Sequence, residues 1–140
     1  MKPEFTGRCL CGAVHFNVTA APVVVAQCHC DECRRLSGTG HSIGAMFPRA
    51  AVQIEGEIAE HSYQGALGAT VTKWFCPRCG SPIFGCNTRA PDHITLPLGA
   101  FDNAVDLSVQ VVIFERDRPH WDQLGPDVDR FDTQPDWTPD

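Results

Sequence analysis

The sequence predicts an all-β protein of antiparallel sheets packed together, and two observations carry that prediction. Short runs rich in β-branched and aromatic residues recur along the chain, and 12 glycines and 11 prolines are spread between them. No window holds the apolar spacing of three and four residues that a long amphipathic helix needs.

Taken in order, the expected strands are AVHFNV at 13–18, VVVAQ at 23–27, HSIGAMF at 41–47 and VQIE at 52–55. They continue with IAEHSY at 58–63, VTKWF at 71–75, IFG at 83–85, HITLPL at 93–98 and VDLSVQVVIFE at 105–115. One exception is expected at 31–36, where Asp31 as a cap and two arginines favour a helical turn. From about Arg116 the chain becomes rich in Asp and Pro, which predicts a segment wrapped over the surface and a loose tail at 132–140. A length of 140 residues with no repeat and no linker predicts one domain over 1–140, its core at about 7–131.

The formal charge of −6 argues against a nucleic-acid partner, because such proteins need lysine and arginine to displace counterions from phosphates. The first residues contain no apolar run of about seven, and no stretch approaches the ~18 apolar residues of a membrane span. A cytoplasmic location without a membrane partner is therefore expected. In that reducing compartment eight cysteines are better explained by metal or thiol chemistry than by disulfides.

The cysteines divide into two sets. Cys76 and Cys79 sit in FCPRCGSP, where proline fixes the turn and the following glycine allows a left-handed backbone whose amides point at sulfur. That is a zinc knuckle; Gly80-Ser81-Pro82 opposes the helix that a thioredoxin-type motif would need. Cys9 and Cys11, in RCLCG, offer a second chelate, since side chains at i and i+2 share a face of an extended segment. The four together make a closed structural zinc site that staples a small β-fold.

Cys28, Cys30 and Cys33, in CHCDECRRLSG, hold a metal on three sides and leave a fourth position open. Cys86 is the rival for that position, although a lone cysteine in an apolar strand is more often a small buried hydrophobe. His29 points away from its two neighbours if the segment is extended, which suits a hydrogen-bonding or substrate-side role. Trp74 and Trp121 read as packing residues.

GRCLCGAVHFNV, CHCDECRRLSG, FCPRCGSPIF and LPLGAFD together resemble the glutathione-dependent formaldehyde-activating enzyme family, which includes centromere protein V-like domains. The resemblance implies a β-tent fold and two zinc ions per chain. One, structural, falls to Cys9, Cys11, Cys76 and Cys79; the other, catalytic, falls to Cys28, Cys30 and Cys33. It also implies a carbon-sulfur lyase that joins glutathione to formaldehyde, forming S-(hydroxymethyl)glutathione.

Three thiolates leave Zn²⁺ with a net −1, so a soft substrate thiol suits the open position better than water does. The expected reaction is attack of that thiolate on formaldehyde or another small aldehyde. His29 or His41 would protonate the resulting alkoxide, and Arg34 and Arg35 would bind substrate carboxylates. Two alternatives remain open. One is a non-catalytic, zinc-stabilised binding module; the other is a thiol oxidoreductase resembling methionine sulfoxide reductase B, which needs an unligated low-pKa thiol and has Cys86 as its spare candidate.

Overall fold

A computed structural model describes residues 4–102, 106–126 and 128–136. Its strands are β1 (Phe5–Arg8), β2 (His15–Val18), β3 (Val24–Cys28), β4 (Ser42–Pro48), β5 (Val52–Glu55), β6 (Ala59–Gln64), β7 (Thr70–Phe75), β8 (Pro82–Asn87), β9 (His93–Pro97), β10 (Val111–Ile113) and β11 (Asp129–Arg130). Among the described residues one α-helix, α1 (Asp31–Ser37), follows β3, and the other helical pieces are 3-10 turns of three residues. The strands form a three-stranded sheet in the order β1-β2-β5 and an eight-stranded sheet in the order β11-β10-β3-β4-β9-β8-β7-β6. The all-β expectation therefore holds.

The two sheets meet over Val14, Phe16 and Val18 from one side and Val25, Ala45, Phe47, Ile83 and Leu96 from the other, all buried. Phe101 joins them, its ring centroid 5.2 Å from that of Phe16 and 6.1 Å from that of Phe47. Aromatic rings at such separations add edge and offset contacts to the area they bury.

Several details depart from the sequence reading. β1 was not expected, because FTGR carries one large apolar side chain. Tertiary contact recruits it: Gly7 bridges to Phe101, and a Cβ there would collide with the Phe16 ring and the Ala100 carbonyl. The run at 105–115 contracts to β10, which pairs in parallel with β3 and β11, so the large sheet is mixed rather than purely antiparallel. Phe114 ends it with a left-handed backbone, φ 55°, and Val105 lies outside the described residues.

The segment after Arg116 does more than wrap. The Phe131 amide donates to the Val112 carbonyl at 2.8 Å, which adds β11 to the sheet edge, and Asp122 reaches inward to 9% exposure. The last four residues of the expected loose tail, 137–140, lie outside the described part.

Candidate metal centres and the cavity beside them

Sequence-local geometry builds both cysteine groups. Cys9 follows β1, and its amide donates to the Val14 carbonyl at 2.9 Å, closing the turn that carries Cys11. Cys76 follows β7, and the turn closes when the Gly80 amide donates to the Cys76 carbonyl at 2.8 Å, with Gly80 at φ 79°. The sulfurs of Cys9, Cys11, Cys76 and Cys79 then lie within 4.8 Å of one another, Cys11 being 3.6 Å from Cys9 and 3.8 Å from Cys76. The amides of Val14 and Arg78 donate to Cys9 and Cys76 at 3.3 and 3.4 Å; against burial, which raises it, the Val14 amide and the neighbouring thiols draw the Cys9 thiol down. The Ser81 hydroxyl and amide hold Cys79 down at about 5.

The second group forms where β3 turns into α1. Cys28 ends the strand, and Cys30 caps the helix with its thiol, which accepts from the Cys33 amide at 3.4 Å. Asp31, expected as the cap, is instead the first helical residue. The three sulfurs lie within 4.8 Å, and Cys86 is not among them.

Crowding makes these thiols unequal. Hydrogen bonds from Cys28 and Cys30 hold Cys33 at about 2. Hydrogen bonding to Cys30 and Cys33, then burial, pushes Cys28 far up. For Cys30 the bond with Cys28 lowers, but the bond to Cys33, burial and the Cys33 charge raise it to about 12. One negative charge is thus accommodated and the next two are resisted. A divalent cation removes that resistance, and a set of soft sulfur donors on three sides suits Zn²⁺. The seven thiols therefore fit the zinc assignment.

His29 is completely buried. Its Nδ1 lies 2.9 Å from the Gly40 carbonyl and 3.1 Å from Asp122 Oδ2, and the Gln27 side-chain amide lies 3.1 Å from its Nε2. With Gln27 donating, Nε2 accepts and Nδ1 carries the proton. His41 Nδ1 lies 2.7 Å from the same Asp122 oxygen, leaving its Nε2 for other partners. Gly40 makes this close approach feasible, since a Cβ there would meet Asp122 Oδ2 at 2.5 Å.

A cavity of about 1460 Å³ opens along the large sheet, lined by Cys28, Cys30, Cys33, His41, Tyr63 and Lys73 among others. Burial first, then the charges of Cys33 and Cys30, pushes the Tyr63 phenol up and keeps it protonated. Trp74 lines the cavity while stacked on Phe84 at 4.5 Å, whereas Trp121 is 58% exposed rather than packed. His29 is not part of the lining. Neither are Arg34 and Arg35: both pair with Asp31, at 2.6 and 3.0 Å, and line a separate recess with Trp121. Cys86 lines the cavity apart from the trio and accepts from the Arg49 guanidinium at 2.9 Å. Burial still pushes its thiol up despite that partner, which weighs against the oxidoreductase alternative.

The sequence reading missed Asp122, Tyr63 and Lys73. Only Lys73 carried a signal, as a lysine at the centre of the apolar run VTKWF. Asp122 is one aspartate among many in an acidic segment.

A family model described as glutathione-dependent formaldehyde-activating enzyme matches residues 4–117. A Halomonas elongata relative, whose name likewise refers to glutathione-dependent formaldehyde activation, is 27% identical over 84% of this chain and 79% of its own length. An uncharacterised lyase of Schizosaccharomyces pombe is 20% identical over 84% of this chain and 82% of its own. Among solved structures, a Rhodobacter sphaeroides protein from structural genomics is similar in fold, with a TM-score of 0.57 at 20% identity, over 72% of this chain and 91% of that one.

Proposed function

The chain belongs to the glutathione-dependent formaldehyde-activating enzyme family, and on that premise we propose that it is a carbon-sulfur lyase joining a thiol such as glutathione to formaldehyde or another small aldehyde. The observation that carries this reading is the gathering of three thiols, without Cys86, on the wall of a cavity that also presents His41. We assign zinc to both cysteine groups, structural at Cys9, Cys11, Cys76 and Cys79 and catalytic at Cys28, Cys30 and Cys33. The same reading takes the chain as one β-tent domain of the cytoplasm, where its thiols stay reduced, with small molecules as its partners.

Zinc at the trio would supply an open position at which a substrate thiol gives up its proton. The remaining work falls to side chains. Sulfur donates an electron pair to the aldehyde carbon, the C–S bond forms, and the carbonyl π pair moves onto oxygen. That oxygen takes a proton from His41 Nε2, and His41 regains one from solvent. Asp122 accepts from His41 Nδ1, which orients the ring with Nε2 free to face the substrate oxygen. His29 acts indirectly, as the buried partner that keeps Asp122 in place. The thiol's own proton leaves to solvent, so thiol plus aldehyde balances the hydroxymethyl thioether.

The test is metal content together with adduct exchange between glutathione and formaldehyde, followed by NMR magnetisation transfer. Purified protein should carry two zinc ions per chain and speed exchange; Cys30→Ser should lose one ion and the acceleration. Equal exchange with both proteins would sink the lyase assignment.

A further inference from the structure

Lys73 is a cation on the cavity wall that pairs with no carboxylate among the described residues. It sits in β7 opposite Gly85 of β8, and its side chain lies flat across that glycine. A Cβ on Gly85 would be 3.0 Å from both Lys73 Cδ and Nζ, so the absence of a side chain there lets the lysine follow the wall instead of rising from it. Among the described residues Lys73 enters no ion pair, although acidic residues of α1 and of the segment after β10 line other parts of the same cavity. It lines the same cavity as Cys28, Cys30 and Cys33, so a ligand seated at the trio shares that space with the ammonium.

The chemistry of the trio needs such a charge. Three thiolates around a divalent cation sum to −1, and a fourth sulfur brings −2. A substrate that adds a carboxylate of its own needs a cation further along the wall. Arg34 and Arg35, the sequence's candidates for that task, each donate to Asp31 and line a separate recess rather than the cavity.

We propose that Lys73 is a specificity-determining residue that selects thiols carrying a carboxylate, pairing its ammonium with that carboxylate while the thiol sulfur is at the cysteine trio. This inference rests on the thiol-binding reading above. It also makes Gly85 a positioning residue, because any larger side chain there displaces the lysine.

The experiment uses the full chain loaded with Co²⁺, whose thiolate charge-transfer absorption changes when a further sulfur binds. The probes are glutathione and its diethyl ester, which share a skeleton and differ in their carboxylates. The native chain should bind glutathione about tenfold more tightly than the ester, the size of a charge-assisted contact discounted for solvent. Lys73→Gln should bring that ratio to about one while leaving the ester's affinity within about twofold. Lys73→Arg should keep most of the preference, and Gly85→Ala, which retains the charge but crowds it, should reduce it. If Lys73→Gln fails to load cobalt, the comparison of Lys73→Arg with Gly85→Ala decides. A native chain without preference, a ratio that survives Lys73→Gln, or equal weakening of both probes overturns the selectivity role alone. No spectral change with either probe in the native chain overturns the thiol-binding reading and this inference together.

Discussion

Asp122 determines what each histidine beside the trio can do. One carboxylate oxygen faces both Nδ1 atoms, and His29 is buried on its far side with Nε2 engaged by Gln27. Of these two histidines only His41 lines the cavity, so the proton-donor role passes to it. His41→Ala should slow adduct exchange by about a hundredfold, the usual worth of a positioned acid. Asp122→Asn should cost about tenfold through misorientation of that ring, and normal rates in both variants would remove the histidine from the mechanism. Cys86 has a different fate. Its sulfur is bonded to Arg49 and stands outside the trio, so Cys86→Ala should retain two zinc ions per chain by elemental analysis. A drop to one would make Cys86 a ligand.

Among the elements, β1 shows how a strand with little signal of its own is held by contact. Its Gly7 lies under the Phe16 ring and against the Ala100 carbonyl, and its end delivers Cys9 to the knuckle after β7. Gly7→Ala overpacks that junction and should destabilise the fold by about 2 kcal/mol, read as a lower urea midpoint at unchanged slope. An unchanged midpoint would mean that β1 can move aside. The α1 helix was legible because Asp31 and two arginines mark a short helical turn; its cap was not, because thiols seldom cap. The end of the 105–115 run was equally hidden, since Phe114 in a left-handed conformation violates the propensity from which strand length was read.

At the scale of the whole molecule the two cysteine groups differ in what they join. Cys11 and Cys76, 3.8 Å apart, are separated by 65 residues, so that group ties the end of β1 to the β7–β8 turn across the core. The trio spans six residues and ties only the end of β3 to α1. Cys76→Ser should therefore lower the melting temperature by about 10 °C or more, whereas Cys30→Ser should lower it by only a few degrees. Similar losses in calorimetry would contradict the division into structural and catalytic sites. The sequence by itself determined the strand-rich class and the composition of both thiol groups, because strand runs, i and i+2 chelates and Cys-Pro-Arg-Cys-Gly turns are written within a few residues. The tertiary structure alone decided that His41 meets Asp122 across 81 positions, that Arg34 and Arg35 turn to a separate recess, and that Lys73 lies across Gly85 in the cavity the trio also lines. Those outcomes depend on which strands become neighbours and where small residues let side chains approach, and no local pattern encodes either.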